Sequence, residues 1–244
     1  HLLSAPLEYR RNDNQTVEDF CDDLVKEFDN TILVLGSETV VAFIAEPTMA
    51  SGGCIVPPEG YFKRLWEICK KNDVLFISDE VVTGFGRIGH FFASEKVFGV
   101  TPDIITCAKG ITSGYMPLGA VLFSDKLLND LKNDSALFFH GYTYSGHPAC
   151  CAAALKNIEI IKRDKILEHV KNIEPYFHQQ LKKLYDLPIV GDIRGKGLMA
   201  GIECVINKNS KEALVLDKAI GSRIDEESLK LGLIIRPLYH ICVL

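Results

Sequence analysis

The chain has 244 residues, of which 47% are hydrophobic, a formal net charge of −5 and eight cysteines. The mildly acidic balance, without a run of Lys or Arg, excludes a nucleic-acid surface, and no apolar run is long enough to cross a membrane. The opening residues, HLLSAPLEYRRND, predict no signal peptide, and cysteines without C-x-x-C or zinc-ligand spacing indicate a reducing compartment, most simply the cytoplasm.

Strand-like and helical runs alternate in the first part of the chain. Buried strands are predicted in ETVVAFIAEP and VLFISDE, and a third strand in PDIITCAKG. EGYFKRLWEICKKND has apolar residues at helical spacing and predicts an amphipathic helix, whereas GFGRIGHFFASEKVFG predicts a loop and a short helix. Short strands that alternate with helices indicate an α/β fold with a mostly parallel sheet flanked by helices.

The later part of the chain is richer in helix. The run from HPACCAAAL to KKLY predicts long helices with a break near Arg163 and Asp164. LPIVGDIRGKGLMAGIECVI predicts two strands, LDKAIGSRIDEESLKLG a helix that ends at Gly232, and LIIRPLYHICVL a further strand-like run. We therefore predict a large domain over residues 1–186 and the start of a small α+β domain over residues 187–244.

Two of the predicted strands end in chemically active groups. Asp79 ends VLFISDE and Lys109 ends PDIITCAKG, and ligands of open parallel sheets bind at the carboxyl ends of the strands. A lysine on a core strand is costly to bury unless its amine does chemistry. From these residues alone the lysine can point into water, pair with the acid, or form with it the two fixed points of pyridoxal phosphate.

A series of motifs resembles the class III aminotransferases, which depend on pyridoxal phosphate. The stretches FIAEP, GYFKRLWEIC, LFISDEVVTGFGRIG, GVTPDIITCAKGITSGYMPLGAV and HGYTYSGHPACCAAAL occur in the order of that family, in its omega-amino-acid type. The resemblance extends from about Pro6 to Leu244. It implies the type I fold of these enzymes, and it corresponds to roughly the second half of a member, so the chain looks incomplete.

The resemblance assigns roles to three residues of the predicted sheet. Lys109 matches the Schiff-base lysine, and Asp79 matches the acid that pairs with the pyridine nitrogen of the cofactor. Val81 matches the branched residue that packs on one face of the ring. Without the resemblance, Asp79 and Glu80 are equally explained as capping or ion-paired groups, and Val81 as a core residue.

Three further residues gain roles from the same resemblance. Thr143 and its neighbour Tyr142 match the segment that reaches the cofactor phosphate of the other subunit, which implies a homodimer with shared active sites. Arg236 matches the mobile arginine that grips a substrate carboxylate through bidentate hydrogen bonds. The alternatives are a turn hydroxyl for Thr143 and a surface ion pair for Arg236.

Two departures bear on the substrates. Members that act on ornithine or 4-aminobutyrate carry a glutamate where this chain has Ser51 and a glutamine where it has Val82. The resemblance therefore implies transfer between an amine or omega-amino acid and an oxo acid, with pyruvate as the expected acceptor. The alternatives are an aminomutase of the same family, or an inactive truncated paralogue that acts only as an interaction piece.

Overall fold

The first half of the chain forms a four-stranded sheet in the computed structural model, which describes residues 1–133, 138–214 and 220–244. The strands lie in the order β1-β2-β3-β4. Their bounds are Ala42–Ala45 (β1), Leu75–Asp79 (β2), Ile104–Cys107 (β3) and Ala120–Phe123 (β4). Strands β1, β2 and β3 are parallel, as predicted, whereas β4 pairs antiparallel with β3 and was not predicted.

Helices pack against this sheet and form the hydrophobic core together with it. Their bounds are Val17–Leu35 (α1), Tyr61–Lys71 (α2), Ala93–Phe98 (α3) and Asp125–Asn133 (α4). Helix α1 begins at a capping box in which the Thr16 hydroxyl accepts from the Asp19 N–H and the Asp19 carboxylate accepts from the Thr16 N–H. The largest buried cluster of the first half joins apolar faces of α1 and α2 to Phe76 of β2. The predictions of α2 and α3 are confirmed.

Strand β1 is less buried than the sequence predicts. Its only strand partner in the described part of the chain is β2. Phe43 packs toward the core, with its ring centroid 4.7 Å from that of Phe28, but Ile44 on the other face is 58% exposed. The prediction of a buried strand therefore holds for the face that carries Phe43 and not for the face that carries Ile44, because successive side chains of a strand point to opposite faces.

Two long helices connect the first sheet to the second. Helix α5 spans Pro148–Arg163 and α6 spans Ile166–Lys182. The predicted break between them is confirmed, and it is made by Lys165, whose φ of 52° is left-handed. Pro at the first position of α5 suits a helix start, because its missing N–H has no intrahelical partner there.

The last part of the chain forms an antiparallel sheet and one helix. The strands are Val190–Lys196 (β5), Met199–Asn207 (β6), Glu212–Ala213 (β7), Arg236–Leu238 (β8) and Ile241–Val243 (β9). They lie in the order β5-β6-β9-β8, with β7 paired to β6. Helix α7 spans Ile220–Lys230, and the first residues of the helix predicted there lie outside the described residues.

The final apolar run, LIIRPLYHICVL, is not one strand. It forms β8 and β9, which pair antiparallel across a turn at Tyr239, where φ is 53°. The second sheet begins at Val190, three residues after the predicted domain boundary, and the division of the chain into two domains stays a prediction. No helix in the described part of the chain is long and apolar enough to span a membrane. All eight cysteines are free, and seven of them are buried.

Candidate functional site

The carboxylate of Asp79 lies at the carboxyl end of β2. Strand β2 pairs in parallel with β3, and Asp79 is opposite Thr106. One carboxylate oxygen of Asp79 accepts the N–H of Val81 at 3.0 Å. Its other oxygen accepts no hydrogen bond from the described residues, and the side chain is half-buried. Asp79 therefore offers a fixed, free acceptor at the edge of the sheet.

Lys109 follows the neighbouring strand at the same edge. Strand β3 ends at Cys107, and Lys109 opens a short 3-10 turn, Lys109–Ile111, with a left-handed φ of 39°. The residue is exposed, and its ammonium makes no ion pair with any described residue. Of the placements that the sequence left open for this lysine, the structure shows the exposed one, in a turn that follows β3.

Glu46 is a third acid or base at this edge, and the sequence assigned no role to it. It follows β1, in which Ala45 is opposite Ser78 of β2, so Glu46 comes next to Asp79. Burial raises the pKa of Glu46, the nearby Asp79 carboxylate adds to this effect, and the Ala50 N–H and Lys109 oppose it. The N–H of Ala50 donates to the Glu46 carboxylate at 3.1 Å. Glu46 is thus held within electrostatic reach of Asp79 and Lys109.

A cavity of about 450 Å³ opens beside Asp79 and Glu46, and Lys109 is not part of its walls. The walls also include Met49, the aromatic residues Tyr61 and Phe62 of α2, and residues 1–6. Small-molecule sites are commonly concave and apolar with a few convergent polar groups. The position of the cavity at the carboxyl end of parallel strands fits that pattern.

The loop after Asp79 is held by a buried carboxylate. Glu80 is 0% exposed and accepts the N–H groups of Ala93 and Ser94 and the Thr83 hydroxyl, each at 2.8 Å. The two adjacent acids therefore face opposite sides of β2: Asp79 faces the site, and Glu80 faces the loop. The alternation of side chains along a strand carries this signal, because Phe76, Ser78 and Glu80 share the buried face.

The structure brings only part of the predicted set together. Val81 lies two residues after Asp79 and is half-buried. Tyr142 and Thr143 lie in an exposed turn before α5, where the Tyr142 N–H donates to the Ser145 hydroxyl at 3.0 Å. Arg236 is on β8 of the second sheet, is exposed, and makes no ion pair with the described residues. Asp79, Val81 and Lys109 thus share one edge of the first sheet, and the other three lie elsewhere.

The residues at this edge fit the ring of pyridoxal phosphate. A protonated pyridine nitrogen needs an acceptor, which Asp79 supplies through its free oxygen, and an aldehyde needs an accessible amine, which Lys109 supplies. Within the ranges that the structure describes, no group of three or more His, Cys, Asp or Glu residues can hold a metal ion.

Comparisons with known proteins agree with this chemistry. Residues 1–243 match the family model described as aminotransferase class-III. The chain is 44% identical over 225 residues to gamma aminobutyrate transaminase 3, chloroplastic, of Solanum lycopersicum, covering 91% of this chain and 43% of that protein. It is 42% identical over 235 residues to putrescine–pyruvate aminotransferase of Pseudomonas aeruginosa, covering 96% of this chain and 51% of that protein.

Solved structures give the same result. An (S)-enantioselective omega-transaminase of Thermomicrobium roseum matches with a TM-score of 0.94 and 43% identity, covering 99% of this chain and 54% of that one. The PMP-bound aminotransferase of Vibrio fluvialis matches with a TM-score of 0.93 and 37% identity, with the same coverage. The chain thus spans about half the length of the relatives that it matches.

Proposed function

We propose that this chain, which belongs to the class III aminotransferase family, is part of an enzyme that transfers an amino group from an amine to an oxo acid with pyridoxal phosphate. The observation that carries the proposal is the pairing of β2 with β3, which places Asp79 and Lys109 at one edge of a parallel sheet. Bound pyridoxal phosphate supplies an electron sink for the bond that breaks at the substrate carbon.

Lys109 and Asp79 have separate tasks in this proposal. The Nζ of Lys109 would hold bound pyridoxal phosphate, and as a free amine it would move the proton of the amine-bearing carbon of the substrate. Asp79 would keep the ring nitrogen of the bound cofactor protonated through the oxygen that Val81 does not use. The N–H of Val81 donates to Asp79 and keeps the carboxylate in position, and its side chain would pack on one face of the ring.

The exposed turn at Tyr142 and Thr143 supports a homodimer. Both residues are exposed, and the Tyr142 ring contacts only its neighbour His140 among aromatic side chains of the described part, with ring centroids 5.3 Å apart. Exposed aromatic side chains beside a hydroxyl that makes no hydrogen bond to the described residues suit a surface that a partner covers. In the proposed dimer, Thr143 and Tyr142 contribute to the phosphate site of the other subunit.

The substrates are an amine or omega-amino acid and an oxo acid, with pyruvate as the proposed acceptor. A 42% identical relative is named putrescine–pyruvate aminotransferase, and a 44% identical one is named gamma aminobutyrate transaminase 3. Ser51 and Val82 favour the first kind of substrate, because they replace the acid and amide expected of members that act on ornithine or 4-aminobutyrate. Arg236 is proposed to bind the carboxylate of the oxo acid, as its exposed guanidinium allows. The eight free cysteines support a cytoplasmic location.

The test is to incubate the purified chain with pyridoxal phosphate, reduce it with borohydride, and map the labelled peptide. We expect a visible absorption band that reduction fixes on the peptide containing Lys109. Lys109→Ala should lose both the fixed label and amine transfer, and Asp79→Asn should retain the cofactor but lose nearly all turnover. Amine transfer by the Lys109→Ala variant contradicts the mechanism.

The two alternative functions predict different results in assays of the same purified chain. An aminomutase converts its substrate without an oxo-acid acceptor, so turnover that is independent of pyruvate favours that reaction. A piece that serves only in interaction takes up no cofactor at Lys109. Transfer of the amino group to pyruvate, measured as alanine formed per added amine, excludes both.

A further inference from the structure

The turn that carries Lys109 has a strained backbone that needs support. Lys109 has a φ of 39° and Ser113, four residues later, a φ of 50°. Left-handed values cost free energy for residues with a β-carbon and persist only where surrounding contacts hold them. Within the turn, the N–H of Ile111 donates to the Ala108 carbonyl at 3.0 Å. That bond closes the turn but does not fix it against the rest of the protein.

Asn157 of α5 binds this turn through both ends of its side-chain amide. Its Nδ2 donates to the Gly110 carbonyl at 2.8 Å and to the Ile111 carbonyl at 3.1 Å. Its Oδ1 accepts the Ser113 hydroxyl at 2.8 Å. The contacts span more than forty residues of sequence, and every polar atom of the side chain is used on the segment that follows Lys109.

Apolar packing places α5 against the same turn. Ala154 lies one helical turn before Asn157 and therefore on the same face of α5. It packs in one buried cluster with Cys107, which ends β3, and Ile111, which ends the Lys109 turn. Gly110 lies so close to the neighbouring loop that an added Cβ comes to 2.9 Å from the Cβ of Phe85. The turn is thus held from two sides, and Asn157 is its polar attachment.

We propose that Asn157 is a positioning residue that sets the direction in which Lys109 leaves the sheet and reaches the cofactor. The inference rests on the proposed function, since it concerns the reach of the Lys109 amine. Asn157 touches the backbone of the turn and not the reacting atoms. Its loss should therefore lower the rate at which Lys109 combines with pyridoxal phosphate more than it changes the fold.

The test measures that rate by labelling. The full 244-residue chain is incubated with pyridoxal phosphate for increasing times, reduced with borohydride and digested, and the label on Lys109 is divided by that on the exposed Lys63. Asn157→Leu removes the amide at nearly constant size and without a change of charge. We expect the normalised Lys109 rate to fall about tenfold, since small misplacement of a reacting group has effects of this order or larger.

Matched variants separate positioning from general damage. Asn172→Leu makes the same exchange at an exposed asparagine of α6 whose side chain makes no hydrogen bond to the described residues, and it should label as the wild type does. Asn157→Gln keeps the amide donor on a longer side chain and should label faster than Asn157→Leu. Ser113→Ala removes only the bond to Oδ1 and provides a milder variant if Asn157→Leu does not fold.

The outcomes distinguish this inference from the function on which it rests. Equal Lys109 rates in wild type, Asn157→Leu and Ser113→Ala overturn the inference while the proposed function stands. A fall that is equally large at Lys63, before normalisation, also overturns it, because the loss is then not specific to the turn. Absence of label on Lys109 in the wild-type chain contradicts the proposed function and the inference together.

Discussion

Replacing Glu80 by Gln tests whether the loop behind Asp79 depends on a buried carboxylate. Each oxygen of Glu80 accepts one backbone N–H at 2.8 Å, from Ala93 and from Ser94, and the hydroxyls of Thr83 and Ser94 donate as well. A glutamine keeps one oxygen but places an NH₂ group where the other was. In either orientation of the amide, one buried N–H of the loop then faces another donor.

The expected cost follows from that single unpaired group. A buried donor left without an acceptor costs about 1–3 kcal/mol, and hydrogen bonds to an ionised acceptor are at the upper end. We therefore expect Glu80→Gln to lower the free energy of unfolding by about 2 kcal/mol. With a urea dependence of about 2.5 kcal/mol per molar, the unfolding midpoint should fall by about 0.8 M.

Urea unfolding followed by far-ultraviolet circular dichroism measures this shift. Glu95→Gln is the matched control, because Glu95 is exposed and pairs only with its neighbour Lys96 at 3.1 Å; exposed pairs contribute about 0–1 kcal/mol. Equal midpoints for Glu80→Gln and Glu95→Gln refute the reasoning, since the loop is then not anchored by the Glu80 carboxylate.

Two further predictions concern the same edge of the sheet. Gly110→Ala should lower the free energy of unfolding by about 1–3 kcal/mol, because the new Cβ comes to 2.9 Å from the Phe85 Cβ. Gly141→Ala is the control, since Gly141 has open space around it and the exchange should leave stability unchanged. Thermal unfolding of the two variants measures the difference. Burial raises the pKa of Glu46, so the contribution of Glu46 to stability declines as pH rises through that raised pKa. Glu46→Gln should remove this decline. Urea unfolding midpoints of wild type and variant at acidic and neutral pH measure the decline in each. A decline of equal size in the variant contradicts that account.

The parallel part of the first sheet was predictable because its signals are local. The runs that form β2 and β3 are short, apolar and bounded by acids or glycines, and α2 repeats its apolar residues at helical spacing. Strand β4 was missed because its residues, Ala120–Phe123, follow the glycine-rich lysine motif and only pairing with β3 defines them. Helix α1 was not predicted, although the spacing of Thr16 and Asp19 is typical of the capping box that begins it.

The sequence predicted residues of the candidate site only where they belong to a motif of the family. Asp79 and Lys109 stand at the ends of predicted strands, and the strand pairing brings them to one edge. The sequence left open whether Lys109 is exposed or buried, because this depends on a left-handed backbone value at a residue other than glycine. Asn157 was not predictable either, since no local pattern indicates that a helical asparagine binds carbonyls more than forty residues away.

The second sheet contains a buried charge cluster that predicts acid sensitivity. Glu203 is 1% exposed and accepts from Arg194 at 2.6 Å and from Arg10. Arg194 also pairs with Asp192 at 2.8 Å, and the ring of His240 lies 3.6 Å from Glu203. Burial by itself raises the pKa of Glu203, but the hydrogen bonds and charges of Arg194 and Arg10 outweigh it, so its pKa lies below the usual value.

The sign of the pH dependence follows from that depressed pKa. The stabilisation is complete above the pKa of an unfolded glutamate, about 4.3, and is lost as pH falls through the lower folded value. Glu203→Gln leaves two arginines without their carboxylate and should cost about 3–5 kcal/mol at neutral pH. Urea midpoints of wild type and variant should converge as pH falls below 4.3, whereas Glu212→Gln, at an exposed position of β7, should follow the wild type throughout. A gap between wild type and Glu203→Gln that stays constant into acid contradicts the ion-pair account, because the contribution of Glu203 is then independent of its charge.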